Sequence, residues 1–109
     1  MGFALAKAIS RRFPDSRIHV CDLRSERLQL FQRELPRVQA AAGPSAVAAA
    51  AEVVFLAVKP QDVQAVLEGI GDTDRLLISI AAGVAIGRIE ELCPRARVVR
   101  VMPNTPCLV

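Results

Sequence analysis

The sequence feature that most constrains the fold is the apolar run Val53–Val58, which is closed by Lys59 and Pro60. Its six residues are all apolar, and four of them are β-branched or aromatic. A continuous apolar run of this length predicts a strand buried on both faces, as in a parallel sheet between two layers of helices. In open α/β sheets, ligands bind beyond the carboxyl ends of the strands. We therefore expect Lys59 and Pro60 to lie at a ligand-binding edge.

Length and composition limit the class of protein. The 109 residues are enough for one domain, and a hydrophobic content of 52% argues against disorder. The sequence contains no stretch that could span a membrane, and its start lacks a signal sequence, so we expect a cytoplasmic protein. The three cysteines form no CxxC pair and there is one histidine, which argues for reduced thiols and against a metal site.

The net charge of +3 raises the question of nucleic-acid binding. The chain has neither Tyr nor Trp to stack on bases, and acidic residues interrupt its basic ones. We therefore expect no nucleic-acid partner.

Apolar periodicity and breaker residues predict that helices and strands alternate at short spacing. Such alternation favours an α/β fold with a doubly wound parallel sheet of the Rossmann-like type. Ser25 is expected to cap the second helix and Pro36 to end it. The predicted elements are a helix at 1–13, a strand at 17–22, a helix at 25–35, a short edge strand at 38–41, a helix at 43–52, the central strand, a helix at 62–67, a strand at 76–80, a helix at 86–92 and a strand at 98–102.

The predicted order begins with a helix, whereas a doubly wound sheet begins with a strand. We expect from this order that the first strand is missing from the chain, which leaves one edge of the Val53–Val58 strand without a partner. Unpaired apolar edges invite pairing with other chains. The prediction is a self-associating or marginally stable protein.

Asp22 ends the second predicted element and is a candidate for the adenosine side of a dinucleotide. In such folds an acid at this place accepts hydrogen bonds from the ribose of NAD, whereas a nearby arginine accommodates the 2′-phosphate of NADP. Arg24 can grip a phosphate in a bidentate manner, and Ser25 can donate to it. Because the acid and the arginine are both present, the residues leave NAD and NADP open, and Arg24 could also be a plain surface residue.

Small side chains at Ile80–Gly83 lie at the end of the predicted strand 76–80, and they would let the backbone approach a flat nicotinamide ring. They would also suit a tight turn from strand to helix with no ligand. In the same way, Lys59 could be an ordinary solvated lysine and Pro60 the proline that starts a helix.

Four motifs, in this order and spacing, resemble one known domain. They are Met1-Gly2-Phe3-Ala4-Leu5-Ala6, Ala57-Val58-Lys59-Pro60, Ser79-Ile80-Ala81-Ala82-Gly83-Val84 and the segment 97–106, RVVRVMPNTP. Together they resemble the N-terminal dinucleotide-binding domain of pyrroline-5-carboxylate reductase, over essentially the whole chain, and the last motif is the most specific. This family reduces a cyclic imine, 1-pyrroline-5-carboxylate, to L-proline with NAD(P)H, the last step of proline biosynthesis.

The resemblance implies a set of cofactor-binding residues and a preference for NADP, with NAD as the other choice. Gly2 would be the third glycine of the dinucleotide fingerprint, which lets helix and sheet pack closely, and Asn104 would place its amide near the nicotinamide or the substrate. The implied cofactor-binding residues are Met1, Gly2, Asp22, Arg24, Ser25, Ala57, Val58, Lys59, Pro60, Ile80, Ala81, Ala82, Gly83 and Asn104. No catalytic acid is identifiable among them.

In the family, a helical domain follows the Pro-Asn-Thr-Pro segment and carries dimerisation and most of the imine site. The resemblance therefore implies that residues 1–109 form a single NAD(P)-binding domain fragment, inactive by itself and part of a homo-oligomer when full length. Two alternatives stay open. One is another NADP-binding reductase, such as a deazaflavin-dependent type, and the other is a non-catalytic nucleotide-binding remnant.

Overall fold

The structure, a computed structural model, describes residues 2–102. Helices and strands alternate along these residues, as the sequence predicts. In chain order they are α1 (Gly2–Arg12), β1 (His19–Val20), α2 (Ser25–Glu34), β2 (Gln39–Ala40), α3 (Pro44–Ala50), β3 (Val53–Leu56), a short 3₁₀ helix (Pro60–Asp62), α4 (Val63–Ile70), β4 (Leu76–Ser79), α5 (Ile86–Leu92) and β5 (Arg97–Arg100).

All strand pairs are parallel, and they form two sheets. One sheet consists of β1 and β2, and the other has the order β3-β4-β5. In the doubly wound order, a single strand lies between these two groups, and it is the strand that precedes the first helix. Among residues 2–102 no strand occupies that position, so β1 and β3 each keep one edge outside any ladder. The predicted α/β class with parallel strands is confirmed, and no strand among residues 2–102 joins the two groups.

The split sheet has two separate apolar cores. The larger core joins β3 and β4 to α3, α4 and α5 through buried side chains such as Leu56, Leu67, Leu77 and Ile89. The smaller core joins α1, α2 and the residue before β2 through Ala6, Phe31 and Val38. Helix α3 contacts both β1 and β3 and thereby links the two sheets.

The prediction that the central strand is buried on both faces is wrong for the described residues. Val54 and Leu56 are 5% and 1% exposed, whereas Val53 and Phe55 are 41% and 38% exposed. The helices that follow β3 and β4 pack on the first face. The second face, where Phe55 lies in register with Ile78 and Val99, is covered only in part by the described residues. The apolar run showed that the strand belongs in a core, but it could not show how many covering layers these residues provide.

The boundaries differ from the prediction by a few residues at most ends. The strand expected at 17–22 is limited to His19–Val20, the only two residues with ladder partners in β2. Helix α2 ends at Glu34, one residue before Leu35 and two before Pro36, as expected from the proline. Within residues 2–102, none of the helices has the length and apolar character that crossing a bilayer requires.

Two adjacent valines of β3 provide a test of the one-sided core. We expect Val54→Ala to lower the free energy of unfolding by about 2 kcal/mol, because Val54 is packed under the helices. The matched control, Val53→Ala, should cost less than about 1 kcal/mol, because its side chain is largely exposed. Urea titrations followed by circular dichroism measure both values. Equal losses would mean that the second face is covered as well.

Candidate cofactor-binding site

The three strands of the larger sheet end in one row. Leu56, Ser79 and Arg100 are register partners at the carboxyl ends of β3, β4 and β5. The segments that follow β3 and β4 therefore leave the sheet side by side. This brings together two groups of predicted site residues, Ala57–Pro60 and Ile80–Gly83.

The segment after β3 leaves the sheet in an extended conformation. Ala57 and Val58 are half-buried, and Lys59 is exposed with φ −65° and ψ 148°. Pro60 begins the 3₁₀ helix, which the backbone N–H of Asp62 closes by donating to the Lys59 carbonyl at 2.8 Å. Pro60 thus has the helix-starting position that one interpretation predicted, and the Lys59 side chain lies at the carboxyl edge.

Helix α1 begins against this same segment. A Cβ on Gly2 would lie 3.2 Å from the Cβ of Ala57 and 3.8 Å from its carbonyl oxygen. Such an approach is tighter than ordinary side-chain packing, so the predicted role of Gly2 in close packing of helix and sheet agrees with the geometry. The amino end of an 11-residue helix therefore lies beside the carboxyl end of β3.

The segment after β4 is a tight turn with small side chains. The N–H of Ile80 donates to the Leu56 carbonyl at 3.2 Å, and the N–H of Ala81 donates to the Ser79 hydroxyl at 3.3 Å. Gly83 has φ +73°, a left-handed conformation that favours glycine. Ala82 and Gly83 are exposed, so the backbone of the turn is accessible from outside.

Ser79 was not among the predicted site residues. Its signal in the sequence is weak, since it is a single hydroxyl at the end of an apolar strand. Its contact with the N–H two residues later depends on the turn that follows, and strand periodicity does not predict that turn.

A groove runs from Pro60 and Gln64 across to Gly83 and the first turn of α5. Arg88 spans it, donating to the Gln64 side-chain oxygen at 2.7 Å and to the Glu91 carboxylate at 3.0 Å. This contact between α4 and α5 could not be predicted from sequence, because helix periodicity does not show which helices are neighbours. The ion pair between Arg88 and Glu91 is exposed, so its contribution to stability is small.

The loop after β1 is ordered by Asp22. One oxygen of its carboxylate accepts the backbone N–H of Arg24 at 2.9 Å. The prediction that Ser25 caps α2 is wrong. Arg24 is the N-cap residue, without a side-chain cap bond, and Ser25 is the first helical residue. With the hydrogen bond from the Arg24 N–H to Asp22, the helix begins one residue earlier than the capping pattern predicts. The side chains of Arg24 and Ser25 are exposed at the amino end of α2.

Cys21 lies directly before this loop. Partial burial, and secondarily the neighbouring Asp22 carboxylate, raise the pKa of its thiol. A raised pKa keeps the thiol protonated and weakly nucleophilic at neutral pH. This favours a structural role for Cys21 over a catalytic one.

Two predicted site residues, Met1 and Asn104, lie outside the described residues. Within residues 2–102, no group of three His, Cys, Asp or Glu side chains is arranged to hold a metal ion.

A family model described as NADP oxidoreductase coenzyme F420-dependent matches residues 1–83. The chain belongs to this family. The matched residues include α1, the Asp22 loop and both segments at the carboxyl edge, and the match ends at Gly83.

Known proteins similar to this chain carry the name that the motifs indicated. A pyrroline-5-carboxylate reductase of Pasteurella multocida (strain Pm70) is 38% identical over 107 residues, which cover 93% of this chain and 39% of that protein. The structure of a pyrroline-5-carboxylate reductase from Coxiella burnetii matches with a TM-score of 0.85 and 29% identity, over 98% of this chain and 42% of that one. Plasmodium falciparum pyrroline carboxylate reductase with NADP bound matches with a TM-score of 0.63 and 25% identity, over 86% of this chain and 44% of that one.

These matches confirm the resemblance to the N-terminal part of pyrroline-5-carboxylate reductases. The chain spans about two fifths of the length of these relatives, 39% of the P. multocida protein and 42% of the C. burnetii one.

Two glycines with open space around them test the turn after β4. A Cβ would meet nothing within 4 Å at Gly83 or at Gly87. We expect Gly83→Ala to cost about 1–2 kcal/mol, because φ +73° is strained for any residue with a Cβ. The control Gly87→Ala should instead stabilise the protein by about 0.5 kcal/mol, because Gly87 lies in helix α5. Thermal melts of both variants measure the difference. A melting temperature of Gly83→Ala equal to that of the wild type would contradict a positive φ at Gly83.

Proposed function

We propose that this chain is the cofactor-binding half of a pyrroline-5-carboxylate reductase, which reduces 1-pyrroline-5-carboxylate to L-proline with NADPH. The observation that carries the proposal is the juxtaposition of Ala57–Pro60 and Ile80–Gly83 at one carboxyl edge. In a chain of an NADP oxidoreductase family, that edge is the expected cofactor site.

The residues at this edge fit a dinucleotide. The amino end of α1, packed against Ala57 through Gly2, offers backbone N–H groups and the positive end of a helix dipole to a pyrophosphate. Lys59 adds a cation beside it. Ala82 and Gly83 leave the backbone open to a flat ring. A nicotinamide held at this edge would supply the hydride that reduces the C=N carbon, and these residues would provide its position and the electrostatic environment.

We assign the adenosine end to the loop after β1 and propose NADP as the cofactor. Arg24 and Ser25 lie at the amino end of α2, where a guanidinium, a hydroxyl and open N–H groups can all meet a 2′-phosphate. Asp22 would repel that phosphate, but one of its oxygens already accepts the Arg24 N–H. The P. falciparum relative, which has NADP bound, supports the same choice.

No residue described here is a candidate for the acid that protonates the reduced nitrogen. We propose that the imine site and the dimer contacts belong to the part of the relatives that this chain does not match, and that the chain alone is inactive. We also propose a cytoplasmic location, which fits the free thiols of Cys21 and Cys93.

The choice of NADP is tested at Arg24. We expect Arg24→Gln to weaken NADPH binding about tenfold or more, because a charge-assisted contact to the 2′-phosphate is lost, and to leave NADH binding nearly unchanged. The control is Arg33→Gln, an exposed arginine in the last turn of the same helix. Fluorescence titration with each cofactor measures the dissociation constants. A variant that weakens NADPH and NADH equally would contradict a phosphate-binding role.

The assignment as a half-site predicts binding without turnover. The purified chain mixed with NADPH and 1-pyrroline-5-carboxylate should leave the absorbance of NADPH unchanged, because the proposal assigns the imine site to the part of the relatives that this chain does not match. A full-length relative, such as the P. multocida enzyme, serves as the positive control in the same assay. Steady oxidation of NADPH by the chain would disprove the inactivity, and a lack of any NADPH binding would disprove the cofactor assignment.

A second candidate function is a coenzyme F420-dependent NADP oxidoreductase, since the family model has that description. It would use the same NADP-binding edge but exchange a hydride with a deazaflavin. An assay with reduced coenzyme F420 and NADP, run beside the assay with the imine and NADPH, distinguishes the two functions.

A further inference from the structure

Ser79 carries a buried hydroxyl on the apolar face of the larger sheet. It is 0% exposed and ends β4, the middle strand of the larger sheet. Its side chain is on the same face as Leu77 and in register with Leu56, both of which belong to the larger apolar core. Burying a hydroxyl among apolar side chains is costly unless it forms a hydrogen bond, so the contact that Ser79 makes is informative.

That contact holds the turn after β4. The Ser79 hydroxyl accepts the N–H of Ala81, a residue that is itself 3% exposed. The N–H of Ile80 still reaches a strand carbonyl, at Leu56, but Ala81 lies beyond the ladder. Without the hydroxyl, a buried N–H at the start of the turn would have no partner.

The backbone of Ser79 fixes the same point from the other side, because its carbonyl accepts the N–H of Val101 at 2.8 Å. Hydrogen bonds of Ser79, Ile80 and Ala81 therefore connect the start of the turn Ile80–Gly83 to β3, to Val101 just after β5 and to its own strand. Gly83 then ends the turn with φ +73°, a left-handed conformation that favours glycine.

We propose that Ser79 is a positioning residue for the nicotinamide half of the cofactor, acting through the backbone of Ile80–Gly83. The inference rests on the proposed function, in which this turn faces the nicotinamide. A hydride donor must be held within about 3–3.5 Å of its acceptor, so the wall behind the ring has to be rigid. Ser79 provides that rigidity from the covered side of the sheet and leaves the exposed side of the turn free for the ring.

The chain contains a matched control at the opposite end of the same strand. Thr73 is the other buried hydroxyl among the described residues, at 8% exposed, and it accepts the N–H of Arg75 two residues later at 3.2 Å. The geometry repeats that of Ser79 and Ala81, but it lies at the amino end of β4, away from the carboxyl edge. Ser79→Ala removes the hydroxyl, and Thr73→Val replaces it with a methyl group of similar size.

The experiment compares two ligands. NADPH reports on the whole site, and adenosine 2′,5′-bisphosphate reports on the adenosine half alone. We expect Ser79→Ala to weaken NADPH binding about tenfold, because binding must then order the turn, and to leave the bisphosphate unaffected. Thr73→Val should leave both affinities unchanged. Hydrogen exchange should show faster exchange of the Ala81 amide in Ser79→Ala and an unchanged Val101 amide.

The outcomes separate the inference from the proposed function. If the wild-type chain binds neither ligand, the proposed function is overturned and this inference with it. If the bisphosphate binds but Ser79→Ala matches the wild type towards NADPH, the inference alone is wrong. The inference is also wrong if Ser79→Ala weakens both ligands equally, or if Thr73→Val has the same effect as Ser79→Ala. Should Ser79→Ala fail to fold, Ser79→Cys keeps a side chain of similar size with a much weaker acceptor, and the same NADPH-specific loss is expected.

Discussion

The ladders on both sides of β4 are the interaction on which the rest of the structure depends. They align the ends of β3, β4 and β5 in one row, from Leu56 through Ser79 to Arg100. That row places the buried residues of β3 and β4 under α4 and α5, and it makes the two loops that follow these strands neighbours. The larger core and the candidate site are therefore two consequences of one register. A slip of one residue would expose the core face and separate the loops.

The smaller sheet is joined to the larger one by fewer contacts. Helix α3 contacts β1 and β3, and α1 packs against Ala57 through Gly2, while the two apolar cores share no buried residue. In the doubly wound order, a strand between β1 and β3 would pair with both and make one continuous sheet. In the described residues, the geometry between the Asp22 loop and the turn Ile80–Gly83 depends on two helices instead. Backbone pairing is more rigid than such helix contacts, so we expect the adenosine side to be the less firmly positioned half of the site.

Sequence reasoning predicted the order of elements, the parallel class and most of the residues at the carboxyl edge. These features follow from local signals: apolar runs, breakers such as Pro36 and Pro60, and small residues before Gly83. It failed where an outcome depends on neighbours in space. The exposure of Phe55 depends on whether a second layer of helices is present, and the capping of α2 changed because Asp22 had already turned the chain at Arg24. The pairing of Arg88 with Gln64 needed two helices to be neighbours.

The two faces of β3 and β4 explain how the turn Ile80–Gly83 is fixed by the core and still exposes its backbone. Leu56, Leu77 and Ser79 point to the helices, and each is almost fully buried. Phe55 and Ile78 point the other way, to the face that the described residues cover only in part. Since the Ser79 hydroxyl anchors the turn from the covered face, no side chain has to hold that turn from the ligand side. In the proposed cofactor site, a flat ring would then meet backbone and small side chains, and the core beneath them would hold their positions.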